Sequence, residues 1–428
     1  MERLLQYAWR YKILPLTPLH TTDGEEVEVL DPGTLNRDAG PDFFCAKLKI
    51  GGMVWAGHVE VHAKSSDWYR HGHQADKAYD HVVLHVVGKA DCRVTRPDGR
   101  PIPQVELPLP PGMAERYDEL RRAEFHPPCY SVLDRLPRFI LHSWLNALQV
   151  ERCERKADDI RRRLQLYDHN WEDTFFATLA RNFGFSINSD AFEAWAQRIP
   201  FRAVDKHRDN LFQVEAFFFG QAGLLEIAPE PTDPYFHQLQ GEFHYLQHKF
   251  SMPEPLPPER WRLLRLRPNN FPYVRLAQLA HLYHSRQSLV SRMMEATDVP
   301  ALKELLSTDT STYWETHYAF GHPSPKCRKH MGQKSLELLI INTVVPFLYA
   351  YSSYKHIDAL SERAGRLLEG LQPENNHIIR MWGQSGVEPA NAADSQALLQ
   401  LQKEYCEKRY CLRCRIGYEF LKGRRAKG

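Results

Sequence analysis

Acidic and basic side chains alternate along a short segment near the start of the chain. Asp42 stands at the start of one predicted strand, and the next predicted strand carries Glu60, His62 and Lys64 at every second position. In a strand this spacing directs the three side chains to one face and the intervening apolar residues to the other. A hairpin of the two strands would bring Asp42 beside Glu60. Paired carboxylates suit Mg²⁺ or Mn²⁺, which orients a water molecule and neutralises charge on a phosphate.

Basic groups follow the two carboxylates at positions where they could assist the same reaction. His62 and Lys64 are placed to polarise the attacking water or to stabilise the transition state. His71 and His73 lie in a polar segment after the strand, where we expect them at the rim of the cleft in contact with phosphate. Asp42, Glu60, His62 and Lys64 are therefore the predicted catalytic residues.

Pro41-Asp42 followed by Glu60-Val61-His62 resembles the PD-(D/E)XK nuclease superfamily, whose core is a helix, a strand hairpin, a helix and a strand. The resemblance implies that Asp42 and Glu60 bind the metal and that a lysine two residues after the glutamate assists hydrolysis. His62 occupies that lysine position here. Lys64 on the same face would then supply the cation, or the site is altered or inactive. An additional acidic ligand of this family would be Glu2, Glu28 or Asp31.

A second resemblance extends over nearly the whole chain. The segments GPDF (40–43), SSDW (65–68), LHVV (84–87) and CLRCRIG (411–417) are similar to those of an uncharacterised bacterial family with a domain of unknown function. This resemblance implies no activity.

Six histidines lie close together in the sequence and offer a different chemistry. The six are His58, His62, His71, His73, His81 and His85. Asp67, Asp76 and Asp80 lie among them. Neutral imidazoles with carboxylates could form a zinc hydrolase site. The spacing does not match a helical His-Glu-x-x-His motif, and His85 on an apolar strand is predicted to be a core residue.

Three cysteines near the C-terminus form a second candidate metal site. Cys406, Cys411 and Cys414 have the x4 and x2 spacing of plant-type ferredoxins, and closely spaced thiolates suit zinc or an iron–sulfur cluster. The first candidate for a fourth ligand is Cys327, followed by Cys129, and then by His330 and His322. Such a metal would be structural. The alternative is three reduced cysteines without a metal.

Composition indicates an ordinary soluble protein. The chain has 428 residues, of which 43% are hydrophobic and 25% charged, enough for two or three domains. Its N-terminus lacks the pattern of a secretory signal, and the apolar run 338–351 is too short to cross a bilayer. We therefore expect a cytoplasmic protein without membrane association. Eight cysteines in such a chain argue against a disulfide framework.

The pattern of elements predicts an α+β protein. Residues 1–114 read as a nuclease-like domain in which helices flank a mixed sheet, and residues 115–390 as a mainly helical domain. Residues 391–428 read as a C-terminal helix with the cysteine cluster and a basic tail. The tail, together with Arg265 and Arg267, predicts contacts with a nucleic-acid backbone. An alternative for the two arginines is that they lie on a solvent-exposed helix face and contact no nucleic acid.

Three functions follow from these patterns. The first is Mg²⁺- or Mn²⁺-dependent hydrolysis of nucleic-acid phosphodiesters. The second is a non-catalytic module that binds nucleic acid or protein on a degenerate nuclease fold. The third is a zinc hydrolase that uses the histidines between His58 and His85.

Overall fold

Alternating apolar residues in the first quarter of the chain form a sheet. The computed structural model describes residues 1–14, 18–36, 38–96, 98–124 and 127–423, so the last five residues of the predicted basic tail lie outside the described residues. Within the described part of the chain, the sheet has seven strands: β1 Leu19–His20, β2 Glu26–Asp31, β3 Thr34–Leu35, β4 Phe43–Ile50, β5 Met53–Lys64, β6 Val82–Lys89 and β7 Gln104–Glu106.

The sheet is mixed. Its order is β1-β2-β4-β5-β6-β7, and β3 pairs with β4. Strands β2, β4 and β5 are antiparallel neighbours, whereas β5, β6 and β7 run parallel. β5 therefore stands between an antiparallel and a parallel partner. The parallel connection from β5 to β6 places the intervening histidine-rich segment over one face of the sheet.

A β-bulge interrupts the pairing of β4 with β5. Phe43 pairs with Val59 and Ala46 with Gly57, so two residues of β4 oppose one residue of β5. Cys45, within the bulge, has a φ of 56°. The bulge lies next to Asp42.

Helices make up most of the remaining structure. Their bounds in chain order are α1 Glu2–Arg10, α2 Asp67–Arg70, α3 Met113–Arg122, α4 Arg138–Leu166, α5 Trp171–Phe183, α6 Ser189–Ala196, α7 Phe201–Lys206, α8 Leu211–Gln221, α9 Pro234–Lys249, α10 Pro272–Ser285, α11 Leu289–Glu295, α12 Val299–Leu306, α13 Gln333–Leu339, α14 Val345–Lys355, α15 Asp358–Glu369, α16 His377–Gln384, α17 Ala392–Gln400 and α18 Arg415–Lys422. Two π-helical segments, Ile340–Val344 and Leu401–Cys406, follow α13 and α17. The mixed sheet with flanking helices and the helical remainder confirm the predicted α+β class.

Both faces of the sheet are covered. Helix α1 buries Leu5, Ala8 and Trp9 in a core formed with the apolar residues of β4, β5 and β6. On the other face, Trp68 of α2 and Tyr79 belong to a smaller core. The acidic and histidine side chains of β5 lie on this second face.

The chain divides into two compact units. Unit 1 contains residues 1–144, 380–387 and 401–428, and unit 2 contains residues 145–379 and 388–400. The domains expected from the sequence end at residues 114 and 390 and do not coincide with these units. The first part of α4 and the cysteine segment, residues 401–428, group with the sheet in unit 1. The core of unit 2 is helical and rich in aromatic residues.

One continuous helical stretch has the length and apolar character of a membrane span. It covers Gln333–Lys355, and 67% of its most apolar window is buried inside the protein. A buried core helix passes the same test, so this stretch is weak evidence for a membrane span.

Candidate metal centre

Hydrogen bonds join Asp42 to Glu60 and to Val61, the next residue of β5. The backbone N–H of Asp42 donates to Glu60 Oε2 at 3.0 Å, and the backbone N–H of Val61 donates to Asp42 Oδ2 at 3.1 Å. Gln6 of α1 donates from Nε2 to Asp42 Oδ1 at 2.9 Å. These bonds fix both carboxylates on the second face of the sheet. The sequence predicted that the two carboxylates meet, but it gave no signal for Gln6.

Imidazoles surround the remaining oxygen of Glu60. The Nε2 atoms of His62 and His73 each lie 3.4 Å from Glu60 Oε1. His62 Nε2 is also 3.1 Å from His71 Nδ1, and the ligand nitrogens of His62, His71 and His73 all lie within 4.8 Å of one another. Carboxylate and imidazole groups at this spacing could together hold a divalent metal ion.

Burial governs the protonation of these groups. It raises the pKa of Glu60 to about 8, and burial together with the charge of Glu60 raises the pKa of Asp42 to about 7. Burial, aided by His73 and His71, lowers the pKa of His62 to about 3. The imidazole of His62 is therefore neutral near pH 7. It can bind a metal or accept a proton, but it does not replace the positive charge of a lysine.

Further side chains complete the surroundings of the site. His85 lies opposite Glu60 on β6, is fully buried, and approaches His62 Nδ1 with its Nε2 at 2.8 Å. Glu2 is the one predicted additional acid whose charge raises the pKa of Asp42 and Glu60. His58 and His81 contact each other, with ring centroids 6.2 Å apart.

Lys64 ends β5 and is exposed. Among the described residues, its ammonium group forms no hydrogen bond or ion pair. Its backbone N–H donates to Asp67 Oδ2 at 3.2 Å. Alternation along β5 gives Lys64 the same face as Glu60, as predicted from the sequence, but the side chain does not join the hydrogen-bonded set.

The C-terminal cysteines surround a second small cavity together with Cys129. Its lining includes Cys129, Cys406, Cys411 and Cys414, all in unit 1. Cys327, the first candidate for the fourth ligand, is an exposed thiol of unit 2, and the second candidate, Cys129, lines the cavity instead. Cys129 precedes Cys406 by more than 270 residues, so no local spacing could reveal this neighbour.

The peptide backbone holds the cysteine cavity in shape. Cys414 is the N-cap of α18, and burial raises the pKa of its thiol to about 11 while the N–H groups of Gly417 and Ile416 oppose that effect. A Cβ on Gly417 would lie 2.1 Å from the carbonyl oxygen of Cys411, so only glycine allows this approach. A hydrogen bond from the indole N–H of Trp144 also opposes the rise in the pKa of the Cys414 thiol.

Arg265 and Arg267 lie in unit 2 on an exposed loop before the 3₁₀ turn Pro268–Asn270. Among the described residues, neither guanidinium forms a hydrogen bond or an ion pair. Arg275, only a few residues further on, is buried and donates to Gln278 and Asn270. The role of Arg265 and Arg267 in binding a substrate stays a prediction.

Comparison with protein families decides the wider relationship. The model of a family described as a protein of unknown function, DUF2851, matches residues 2–377. The chain belongs to this family. The DUF2851 match covers both the sheet with its metal centre and most of the helical unit, in agreement with the second resemblance seen in the sequence. It does not extend to the C-terminal cysteines. Searches of curated proteins and of solved structures gave no match.

Proposed function

We propose that this DUF2851 protein is a divalent-metal-dependent hydrolase of nucleic-acid phosphodiesters. The observation that carries the proposal is the convergence of Asp42 and Glu60 with His62 and His73 on one face of the sheet. Four side chains that can bind a metal ion, held by a buried hydrogen-bond network, are more than fold stability requires.

The order of elements around these residues supports the same reaction class. Helix α1 is followed by strands β1 to β3, and then by the antiparallel pair β4 and β5, helix α2 and the parallel strand β6. This order resembles the core of PD-(D/E)XK nucleases, in which the two carboxylates lie at equivalent points. The resemblance is part of the proposal.

The donor set favours Mn²⁺ over Mg²⁺. Imidazole nitrogen is a poor ligand for Mg²⁺, whereas Mn²⁺ accepts both carboxylate oxygen and imidazole. When bound, the ion supplies Lewis acidity and lowers the pKa of a water molecule. Asp42 and Glu60 would hold the ion, Gln6 fixes Asp42, neutral His62 would accept a hydrogen bond from the attacking water, and His73 would take the proton of that water. Lys64 lies at the edge of the same face, where its charge can attract a phosphate.

We expect Asp42→Asn and Glu60→Gln to remove Mn²⁺-stimulated cleavage of labelled DNA and RNA while the circular dichroism spectrum stays unchanged. Loss of one group that stabilises developing charge lowers a rate by roughly 10²–10³. Glu28→Gln is the matched control, because Glu28 is an exposed carboxylate of β2 outside the site. Cleavage by both site variants at the wild-type rate would overturn the proposal. Binding without any cleavage by the wild type would favour the non-catalytic module.

A zinc hydrolase is the second candidate, and the three converging histidine nitrogens favour it. It differs from the first proposal in its metal. Zinc that copurifies with the protein and is lost in His73→Ala, together with hydrolysis that Mn²⁺ does not increase, would support it. Activity restored by Mn²⁺ to a metal-free protein would contradict it.

We also propose that Cys129, Cys406, Cys411 and Cys414 bind a structural metal centre. A single tetrahedral zinc ion with Zn–S bonds of about 2.3 Å holds its sulfurs about 3.8 Å apart. Among the described residues, no three of the four sulfurs come within 4.8 Å of one another. A [4Fe–4S] cluster spreads its thiolates further, because each of them binds a different iron. The wider arrangement of the sulfurs favours such a cluster over zinc, and the indole N–H of Trp144, beside the Cys414 thiol, could donate to a cluster sulfur.

A further inference from the structure

A concave surface of unit 1 adjoins Asp42 and has a distinct chemical character. It encloses about 540 Å³ and is formed by α1, the segment around Asn36, α3 and the cysteine segment. We call it the arginine–tyrosine groove after its most prominent lining residues, Arg3, Arg10, Tyr11, Arg409, Tyr410 and Arg413. Asp42 is itself part of the lining, so the groove leads to the candidate metal centre.

Two arginine–tyrosine pairs lie in the groove on elements far apart in sequence. On α1, the Arg10 guanidinium carbon lies 5.4 Å from the ring centroid of Tyr11. On the cysteine segment, the Arg413 guanidinium carbon lies 4.7 Å from the ring centroid of Tyr410. Tyr11 and Tyr410 expose 46% and 42% of their surface, respectively, although they are large aromatic residues. Each pair presents a flat aromatic surface beside a positive charge.

The charges of the groove select an anionic ligand. Of its four arginines, Arg409 is held by bonds to the carbonyl oxygens of Leu120 and Ala123, at 3.4 and 2.5 Å. The guanidinium groups of Arg3, Arg10 and Arg413 form no hydrogen bond or ion pair among the described residues. Two acidic residues, Asp38 and Asp42, line the same surface.

A buried hydroxyl points to a ligand as well. Tyr7 lines the groove, is 5% exposed, and its hydroxyl has no hydrogen-bond partner in the described part of the chain. A buried hydroxyl without a partner is costly to a folded protein unless a ligand or water pairs with it.

From these observations we infer that the arginine–tyrosine groove binds single-stranded nucleic acid and leads it to the metal centre. Arginines on both sides contact the phosphates, and the exposed tyrosine rings stack on bases. Stacking of this kind requires unpaired bases, so a single strand is favoured over a duplex. The inference that the groove leads the strand to the metal centre rests on the proposed function. The inference that the groove binds the strand does not.

The cysteine segment is part of this binding site. Arg409, Tyr410 and Arg413 lie between Cys406 and Cys414, so the thiols around the cysteine cavity hold the loop that forms one wall of the groove. This arrangement assigns the cysteine centre a purpose in substrate binding.

Binding can be measured separately from cleavage with full-length Glu60→Gln protein in buffer without divalent cations. The probes are fluorescent 12-nucleotide single strands of DNA and RNA and the corresponding duplex, and the readout is anisotropy over a salt series. In this background, we expect Arg10→Ala and Arg413→Ala each to weaken binding and to reduce the salt slope by about 1. Tyr410→Ala should weaken single-strand binding by about 5- to 100-fold with an unchanged slope.

Arg100→Ala is the control, because Arg100 is an exposed arginine of unit 1 that does not line the groove. Affinity of the groove variants equal to that of the control, preference for the duplex, or no binding at all would overturn the inference. Groove-dependent binding without cleavage by the wild type would preserve the inference and contradict the proposed hydrolase. If Arg10→Ala, Arg413→Ala and Tyr410→Ala, made in the protein with Glu60 intact, all cleave single strands at the wild-type rate, the hydrolase proposal would stand and the inference on the groove would be overturned.

Discussion

Glu215 is a carboxyl group in α8 whose burial favours its protonated form. It is fully buried, and Oε2 accepts a hydrogen bond from the Tyr235 hydroxyl at 2.5 Å and from the Trp314 indole N–H at 3.4 Å. Burial raises the pKa of Glu215 to about 7, although hydrogen bonds from Tyr235, Ser311 and Trp314 oppose this effect. The folded protein therefore retains a proton that the unfolded chain releases.

This proton makes the stability of unit 2 depend on pH. Because the folded pKa is raised, the stabilisation is complete below the usual glutamate pKa and is lost as pH rises through about 7. Glu215→Gln keeps the shape and an acceptor for Tyr235 without a titrating group. We expect the stability of the variant relative to wild type to increase by roughly 2–4 kcal/mol between pH 4.5 and 8. Urea unfolding at several pH values measures the difference, and parallel pH profiles of the two proteins would contradict it.

At the scale of helices, α8 and α9 approach closely because of one glycine. A Cβ on Gly220 would lie 2.0 Å from the ring of Phe243, which is buried in the core of unit 2. The two helices can keep this distance only while position 220 has no side chain. Gly241, on α9, has open space around the position of a Cβ.

These two glycines give a matched pair of substitutions. We expect Gly220→Ala to destabilise the protein by about 1–3 kcal/mol, because the methyl group forces the Phe243 ring out of its position. Gly241→Ala should instead stabilise it by about 0.5–1 kcal/mol, because alanine is the better helix former. Thermal unfolding of both variants measures the effects. Equal shifts in Tm would show that the packing of α8 on α9 is looser than described.

Local sequence patterns were sufficient for many elements and insufficient for their pairing. The apolar residues of 43–50 and of 171–183 each follow a single period, which agrees with the strand β4 and the helix α5. The apolar run 338–351 contains the π-helical segment Ile340–Val344, which periodicity does not reveal. The parallel pairing of β5 with β6 depends on how the intervening loop packs, and alternation within a strand carries no information on it.

The candidate site shows the same division between local and distant information. Asp42, Glu60 and His62 were predicted from a strand start and from alternation along the next strand, both of which are local patterns. Gln6 comes from the N-terminal helix, and Cys129 joins cysteines more than 270 residues away. The arginine–tyrosine groove likewise combines α1 with the C-terminal segment. Residue types in one window cannot indicate partners that only tertiary packing brings together.

At the scale of the whole molecule, the cysteine cavity lies where the C-terminal segment packs within unit 1. Helix α18 follows Cys414, and Arg116 of α3 donates to the carbonyl oxygen of Leu421 at 3.1 and 2.9 Å. The rings of Tyr7 and Tyr11 of α1 contact Tyr418. A metal bound by the four thiols would therefore stabilise several distant segments of unit 1.

We expect Cys414→Ser to lose iron, sulfide and the visible absorption of the protein purified without oxygen. Hydrogen exchange should then increase in α3 and α18 and stay unchanged in the helices of unit 2, because binding energy of a metal is folding energy of the segments that it joins. Cys327→Ser is the control, since Cys327 is an exposed cysteine of unit 2. Zinc in place of iron would contradict the iron–sulfur cluster, and unchanged metal content in Cys414→Ser would contradict the centre itself.

The bulge between Phe43 and Ala46 determines the face of the sheet on which Asp42 lies. A regular ladder continued from the Ala46–Gly57 pair would place Phe43 opposite Glu60 and Asp42 opposite Val61. Paired residues share a face, so Asp42 would then point into the apolar core and away from Glu60. The one extra residue of the bulge turns Asp42 to the side of Glu60. Whether the two carboxylates lie on the same side of the sheet thus depends on an insertion of a single residue.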